Sequence, residues 1–304
     1  MRRSTKLGLG AALALGCLLA VGASTLRWDP EGLGPDRPAH GARLRSGEFR
    51  VVTLNGFELS DPWRVDPLVD ALDDLSEALA SETPGAPEVV AVQELESRAA
   101  VAALRARLTS HELIACECAL AGDGSLRSAV ALAVRRDAFT VRERGCVPLG
   151  RVWPDHPRCA VEASLSHFGG GRIRVVAVHM AWHLANASMA RRLRDHAVTA
   201  REPGEALLLL GDFNTWPDRD AFDVLAAPPL RDARPGAPPT HFGGLRLDFL
   251  FLDGLSVSRG LDRRWSYEQL RPVSRLWLPD ACDHPGSTEC PLSDHLPEGA
   301  VLRF

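Results

Sequence analysis

The sequence predicts an α/β fold in one domain over residues 48–304, and three observations support this. Short apolar runs rich in β-branched residues alternate along the chain with segments of helical hydrophobic period. The predicted strands are too numerous for a single simple sheet. Of the 304 residues, 45% are apolar and 24% are charged, as in globular proteins. This composition excludes a disordered chain, a collagen-like fibre and a multi-span membrane protein.

The strand predictions rest on apolar runs that are too short for helices. In chain order these runs cover residues 49–54, 88–92, 128–134, 160–168, 172–178, 206–210, 245–252 and 300–304. Three glycines between the fourth and fifth runs predict a hairpin. Three helices are predicted at about 64–81, 97–109 and 186–202.

The amino terminus has the composition of an export signal. A basic stretch, residues 1–6, precedes an apolar stretch, residues 7–23, which ends in small residues. We expect residues 1–23 to be a signal peptide. A signal anchor that tethers the protein to a membrane through residues 7–23 is the alternative, and a lipoprotein modified at Cys17 is a weaker one. All three readings place the following domain outside the cytoplasm, as a secreted or extracytoplasmic protein.

Residues 24–47 contain three prolines and four glycines without a hydrophobic period, which predicts a flexible linker. Loss of residues 1–23 would lower the formal net charge from −4 to about −7, because it removes three basic side chains and no acidic ones. We expect a domain with this net negative charge to have limited affinity for nucleic-acid phosphates.

Six cysteines follow the predicted leader: Cys116, Cys118, Cys146, Cys159, Cys282 and Cys290. An even number of cysteines in an exported chain indicates disulfides. The last two enclose seven residues that include a proline and a glycine, so we expect a local bridge between them. The first two stand two residues apart on a probable strand, and we expect each to pair elsewhere, for instance with the third or fourth. A zinc site is the alternative, although the spacings match no standard pattern.

Polar side chains follow four of the apolar strands, at the point where each strand ends. They are Asn55, the pair Gln93 and Glu94, His179, and the pair Asp212 and Asn214. In open α/β sheets, ligands bind beyond the carboxyl ends of the strands. One such residue alone is most simply a turn former, but four together favour a functional site.

These residue types suit metal-assisted phosphoryl transfer. Glu94 and Asp212 offer the hard oxygen ligands that Mg²⁺, Mn²⁺ or Ca²⁺ prefer. Asn214 points to the same side as Asp212 if the segment is extended. On a late loop, Asp294 adds a carboxylate and His295 an imidazole that can bind a phosphate oxygen or protonate a leaving group.

Asp248 is a charged residue within an apolar strand, so it needs a partner. A carboxylate that orients a catalytic histidine is a common arrangement, and we expect Asp248 to pair with His295. A salt bridge with Arg246 is the alternative.

Six segments in this order resemble the endonuclease/exonuclease/phosphatase superfamily, the deoxyribonuclease-I-like fold, from about residue 49 to 304. They are TLNGFE, VVAVQE, VVAVH, LLLLGDFN, LRLDFLF and LSDHLP. The resemblance implies a four-layer α-β-β-α sandwich with two packed mixed sheets. It also implies a divalent metal, usually Mg²⁺, and hydrolysis of a phosphate ester.

The resemblance further implies roles for single residues around the metal. Glu94 matches the family's principal metal ligand, and Asn55 matches an asparagine close to the metal and the phosphate. Asp294 matches the last carboxylate of the metal site.

The remaining matches concern catalysis. Asp212 matches the residue that activates or orients the attacking water, and Asn214 matches a phosphate-binding amide. His179 matches a phosphate-contacting position in the middle of the chain. His295 matches the catalytic histidine, with Asp248 as its support.

Three weaker candidates could contact substrate. His183 also resembles a family position, but we favour His179 for the mid-chain role because strand register fixes its direction. Arg127 and Arg158 could reach a phosphate, although solvated or structural arginines would look the same in the sequence.

The fold and the shared site give the bond type but not the substrate. Export favours nucleic acid outside the cell, so we expect a secreted nuclease that binds DNA or RNA transiently and acts as a monomer. A phospholipid or sphingolipid phosphodiesterase, or another phosphoesterase, is the alternative. A hypothesis of another class is a non-catalytic binding module on the same fold, against which the intact site residues argue.

Overall fold

The computed structural model describes residues 45–79, 86–151, 156–182, 186–241, 244–261, 293 and 295–304. Twelve strands lie within these residues: β1 Glu48–Leu59, β2 Val89–Leu95, β3 His111–Leu120, β4 Leu126–Arg135, β5 Phe139–Gly150, β6 Arg158–His167, β7 Arg172–His179, β8 Ala206–Asp212, β9 Arg231–Asp232, β10 Asp248–Asp253, β11 Ser256–Gly260 and β12 Glu298–Arg303. The described helices are a 3₁₀ turn, Pro62–Arg64, and four α-helices: α1 Val65–Leu79, α2 Arg98–Arg107, α3 Asn186–Ala200 and α4 Asp220–Ala226.

The strands form two sheets of six strands each within the described residues. The first sheet has the order β11-β12-β1-β2-β4-β3, and the second has the order β5-β6-β7-β8-β10-β9. The central pairs β1–β2 and β7–β8 are parallel, whereas the other described pairings are antiparallel. Both sheets are therefore mixed, as predicted.

Three apolar clusters separate four layers. One lies between the sheets and includes Val51 of β1 and Val175 of β7. A second packs the outer face of the first sheet, including Val52, against α1 and α2, and a third packs the second sheet against α3 and α4. Neighbouring residues in β1 thus face opposite layers, because side chains alternate along a strand. The α-β-β-α sandwich is confirmed.

Strand register brings the polar strand ends to one edge. Asn55 stands opposite Gln93 in the β1–β2 pair. In the second sheet, Asp212 at the end of β8 stands opposite His179 on β7 and opposite Asp248 on β10. Asp212 therefore has a polar residue on each side, from strands that are far apart in sequence.

The predicted strands and helices are all present, with bounds that differ by a few residues. The strands that were missed, β5, β9 and β11, lie at sheet edges, as does β3, which was predicted only around its cysteines. Edge strands commonly carry charges that prevent pairing with other chains. In β5 the consecutive Arg142, Glu143 and Arg144 interrupt the apolar pattern that would indicate a strand.

Two disulfides join the sheets. They confirm that Cys116 and Cys118 each pair with another cysteine and not with each other. Cys116 pairs with Cys146, and Cys118 pairs with Cys159, so β3 of the first sheet is linked to β5 and β6 of the second. These four sulfurs are therefore not zinc ligands. The bridge expected between the last two cysteines of the chain lies outside the described residues.

The predicted leader and nearly all of the predicted linker also lie outside the described residues, and both stay predictions. Within the part of the chain that the structure describes, no helix has the length and apolar composition needed to cross a membrane.

Candidate active site

The edge where the two sheets meet holds seven of the predicted site residues: Asn55, Glu94, His179, Asp212, Asn214, Asp248 and His295. Two of them have unusual backbone conformations, since φ is 57° at Glu94 and 47° at Asn214. Non-glycine residues with positive φ are strained, and such strain is concentrated at functional sites.

Asn55 connects the two sheets through its side-chain amide. Its Nδ2 donates to Glu94 Oε1 and to Asp212 Oδ2, both at 3.0 Å. Its Oδ1 accepts from the Phe57 backbone N–H at 2.9 Å, which fixes the orientation of the amide. The second oxygen of Glu94 accepts from the Glu58 N–H at 2.8 Å. Both carboxylates are therefore held in place.

Asp212 is buried at the centre of the site, with 1% of its side chain exposed. Burial raises the pKa of Asp212 to about 7, and the negative charges of Asp248 and Glu94 act in the same direction. The preceding Gly211 has a φ of 141°, and a Cβ there would lie 2.0 Å from the Val178 carbonyl oxygen. Only glycine therefore fits in the strand immediately before the carboxylate.

His179 is also buried and is held by an arginine. Arg158 Nη1 donates to His179 Nδ1 at 2.8 Å, so this ring nitrogen accepts and Nε2 carries the proton. Nε2 lies 3.4 Å from Asp212 Oδ2 and 3.6 Å from Glu94 Oε1. Burial lowers the pKa of His179 well below 6.5, and the positive charges of Arg158, His295 and His156 lower it further. The imidazole is therefore neutral.

Asp248 and His295 form the expected pair. Asp248 Oδ2 lies 2.8 Å from His295 Nδ1, and the opposite ring nitrogen lies 3.8 Å from Asp212 Oδ2. The alternative partner, Arg246, instead binds Asp232 at 2.7 Å, so the salt bridge with Asp248 is wrong. The carboxylate fixes the ring so that Nε2 faces the other site residues.

Two hydroxyl residues that the sequence did not single out hold this pair. Ser293 Oγ donates to the Asn55 carbonyl and accepts from the His295 N–H at 2.9 Å. Thr240 Oγ1 accepts from the backbone N–H of Leu247 and of Asp248, at 2.9 and 3.1 Å. Ser293 stands within the LSDHLP segment and could have been found there, whereas no motif marks Thr240.

The remaining predicted residues have different outcomes. Arg158 is buried beside His179, as described above. Arg127 is exposed near the start of β4, and no contact joins it to the cluster within the described residues. Asp294 and His183 lie outside the described residues, so their roles stay predictions.

The donor set fits a divalent cation. A carboxylate oxygen of Glu94 and one of Asp212 lie within 4.8 Å of each other, and His179 Nε2 lies beside both but carries its proton, so the carboxylates are the donors. Among the described residues, no arginine forms an ion pair with Glu94, Asp212 or Asp248. The raised pKa of Asp212 follows partly from this concentration of negative charge, which a bound cation would relieve.

Comparison with known proteins agrees with this geometry. The model of the Endonuclease/Exonuclease/phosphatase family matches residues 54–295, so the chain belongs to this family. It is a phosphoesterase of that superfamily, whose enzymes generally use divalent metal ions. No curated protein sequence matches the chain.

Solved structures share the fold at low sequence identity. An endonuclease/exonuclease/phosphatase from Bacteroides vulgatus is 18% identical with a TM-score of 0.61, covering 84% of this chain and 99% of its own. A mannosyl-6-phosphatase from Bacteroides thetaiotaomicron is 16% identical with a TM-score of 0.62, covering 84% and 99%. D. rerio TDP2 complexed with a single-strand DNA product is 14% identical with a TM-score of 0.58, covering 84% and 99%.

Proposed function

We propose that this protein is an exported phosphodiesterase that requires a divalent metal, most simply Mg²⁺, and that it cleaves DNA or RNA outside the cytoplasm. The observation that carries the proposal is the convergence of Glu94, His179, Asp212 and the Asp248–His295 pair on one edge of the sandwich. A non-catalytic binding module has no need for buried carboxylates that lack arginine partners.

The metal would be held by Glu94, with Asn55 beside it and Asp294 as a further carboxylate from the late loop. When bound, such a cation stabilises negative charge on the phosphate and on the leaving oxygen. The Asn55 amide keeps the Glu94 and Asp212 carboxylates at a fixed separation by donating to both.

The protein's own residues would carry the proton and bind the phosphate. Asp212 accepts the proton of the attacking water, a role for which its carboxylate is held in place by the Asn55 amide and the Asn214 N–H. His295, oriented by Asp248, donates a hydrogen bond from Nε2 to a phosphate oxygen or protonates the leaving group. Asn214 and the neutral His179, with Arg158 behind it, bind the non-bridging oxygens.

The choice of nucleic acid rests on two supports. The predicted leader directs the enzyme to the outside of the cytoplasm, where DNA and RNA are available phosphodiesters. TDP2, which shares the fold, is known with a single-strand DNA product. The mannosyl-6-phosphatase on the same fold makes a phosphomonoester the main competing substrate class.

The test compares four substrates in Mg²⁺: plasmid DNA, RNA, sphingomyelin and bis-p-nitrophenyl phosphate. We expect hydrolysis of nucleic acid, and loss of that hydrolysis in Asp212→Ala. Cleavage of sphingomyelin, with both nucleic acids left intact, would overturn the proposal that nucleic acid is the substrate. Hydrolysis of none of the four would favour a binding module if p-nitrophenyl phosphate, a phosphomonoester, is also left intact, and a phosphomonoesterase if it is cleaved. Unchanged activity in the variant would contradict the site assignment.

Export is tested separately, by expression of the full chain with its amino terminus. We expect the protein outside the cytoplasm, with a new amino terminus near Ser24 if the leader is cleaved. Accumulation of the uncleaved chain in the cytoplasm would contradict the export proposal and leave the enzyme proposal intact.

A further inference from the structure

A row of aromatic rings leads from the catalytic histidine to the surface. The His241 ring lies 4.9 Å from the His295 ring, and the Trp182 ring lies 6.3 Å from His241, measured between centroids. Trp216 continues the row at 6.1 Å from Trp182, and the Arg219 guanidinium stands 4.2 Å above the Trp216 ring. None of these contacts is needed for the reaction described above.

The row borders a cavity next to the proposed phosphate-binding amide. The cavity has a volume of about 420 Å³, and Trp182, Asn214, Trp216 and Arg219 are among its lining residues. This volume lies in the range of small-molecule pockets. Trp182 keeps 47% of its surface exposed, although a tryptophan is normally buried for its large apolar area. An indole left half in water beside an active site indicates a surface that contacts a ligand.

The two tryptophans stand close to described residues that are hydrogen-bonded to one another. Trp182 follows the buried Met180, whose carbonyl accepts from Asn214 Nδ2 at 2.8 Å. The Asn186 amide donates to the carbonyl oxygens of Phe213 and Asn214, at 2.8 and 3.0 Å. These hydrogen bonds tie Met180 after β7 and Asn186 at the start of α3 to the residues after β8, so the described residues next to the two rings are held together before any ligand binds.

We propose that the Trp182 face and this cavity bind the base of the nucleotide next to the scissile phosphate. A planar, weakly polar ring attached to a phosphodiester is the ligand that fits an exposed indole beside Asn214. Bases stack on aromatic side chains without regard to sequence, which suits a nuclease of broad specificity. Arg219 lies at the outer end of the row, where it can bind the next phosphate along the strand. The inference rests on the proposed nuclease function.

The experiment uses two DNA octamers in which only the central linkage is an ordinary phosphodiester, the others being slowly cleaved phosphorothioates. One octamer has bases throughout, and the other is abasic on both sides of the central linkage. We expect wild-type kcat/KM to favour the octamer with bases by about 5- to 150-fold, the range of one stacked base. In Trp182→Ala this ratio falls towards one, and in Trp182→Phe most of it remains.

Phe168→Ala is the matched control. Phe168 is an exposed aromatic residue, 63% accessible, in the turn before β7 and hence at the opposite end of the strand from His179. We expect this variant to keep the wild-type ratio.

The outcomes separate this inference from the function on which it rests. Cleavage of both octamers by the wild type at equal rates would overturn the base subsite and leave the nuclease intact. If Trp182→Ala lowers kcat/KM equally on both octamers, the Trp182 ring has a structural role, and the base subsite would again be overturned. Cleavage by the wild type of neither DNA octamer, nor of RNA octamers of the same design, would refute the nuclease and the base subsite with it.

Discussion

The two ends of the β1–β2 pair both bury charged residues, but only one end balances them. At the amino end, Arg50 is completely buried and binds Glu88 through Nε at 2.9 Å and Nη2 at 2.6 Å. Arg135 Nη1 binds the same carboxylate at 2.8 Å. Each buried charge there has an opposite charge and well-formed hydrogen bonds, as a structural ion pair requires.

At the carboxyl end, Glu94 lies beside Asp212 and Asp248 of the second sheet. These three carboxylates have histidine and amide partners, but within the described residues no arginine pairs with them. Asp248 Oδ1 is buried and has no hydrogen-bond partner among these residues. The pKa directions differ accordingly. Burial acts to raise the pKa of Glu88, but the hydrogen bonds and charge of Arg50 hold it below the usual value, whereas the pKa of Asp212 is raised. Glu88 and Asp212 are similarly buried, but among the described residues arginines neutralise only Glu88. This difference in charge balance distinguishes the proposed active-site end from the structural end.

Asp212→Asn should have the largest effect and should act on catalysis alone. We expect kcat to fall about 10²- to 10⁴-fold, the usual contribution of a general base, with no loss of melting temperature, because an unbalanced buried charge is removed. Asp253→Asn is the matched control, since Asp253 lies at the far end of β10 and pairs with Arg201. Steady-state kinetics and thermal unfolding measure both. A melting temperature well below that of the wild type would mean that Asp212 is structural.

Arg50→Met should show the opposite pattern at the other end of the strand. Removal of one member of a buried pair leaves Glu88 incompletely neutralised and should lower the free energy of unfolding by about 3–5 kcal/mol. Urea denaturation measures the loss, and the kcat of the folded fraction should match the wild type. Arg98→Met breaks an exposed pair with Glu117 and should cost at most about 1 kcal/mol. Equal losses in both variants would contradict the distinction between the two pairs.

Replacement of Glu88 should change how the free energy of unfolding depends on pH, by less than the loss expected for Arg50→Met. Because the folded-state pKa of Glu88 is lowered, its contribution is fully present above the unfolded value of about 4.3 and is lost as the pH falls through the folded value. Urea denaturation between about pH 3 and pH 6 should therefore give a flatter profile for Glu88→Gln than for the wild type. Parallel profiles would mean that the pair does not lower the pKa of Glu88.

The sequence predicted the candidate active site at the carboxyl end better than the ion pair at the amino end. Asn55, Glu94, His179 and Asp212 follow apolar strands, and the ends of parallel strands meet at one sheet edge, so their proximity could be inferred. The pairing of Asp248 with His295 followed from one charge in an apolar run.

Other features depend on contacts between distant segments and carry no local signal. Arg50, the second residue of a predicted strand, contacts Glu88 only through the register of β1 and β2. The hydrogen bond from the Asp248 N–H to Thr240 and the ring contact between His241 and His295 both follow from loop packing. That no arginine of the described residues pairs with the site carboxylates likewise depends on the folded chain.

The central claim is that the unbalanced carboxylates hold a divalent cation on which hydrolysis depends. The most direct measurement is calorimetric titration of the metal-free protein with Mg²⁺, for the wild type and for Glu94→Gln, combined with hydrolysis of DNA in EDTA and after Mg²⁺ is restored. We predict saturable binding to the wild type, affinity at least about tenfold weaker in the variant, and hydrolysis that stops in EDTA and returns with Mg²⁺. Equal binding by both proteins, or full hydrolysis in EDTA, would contradict the account.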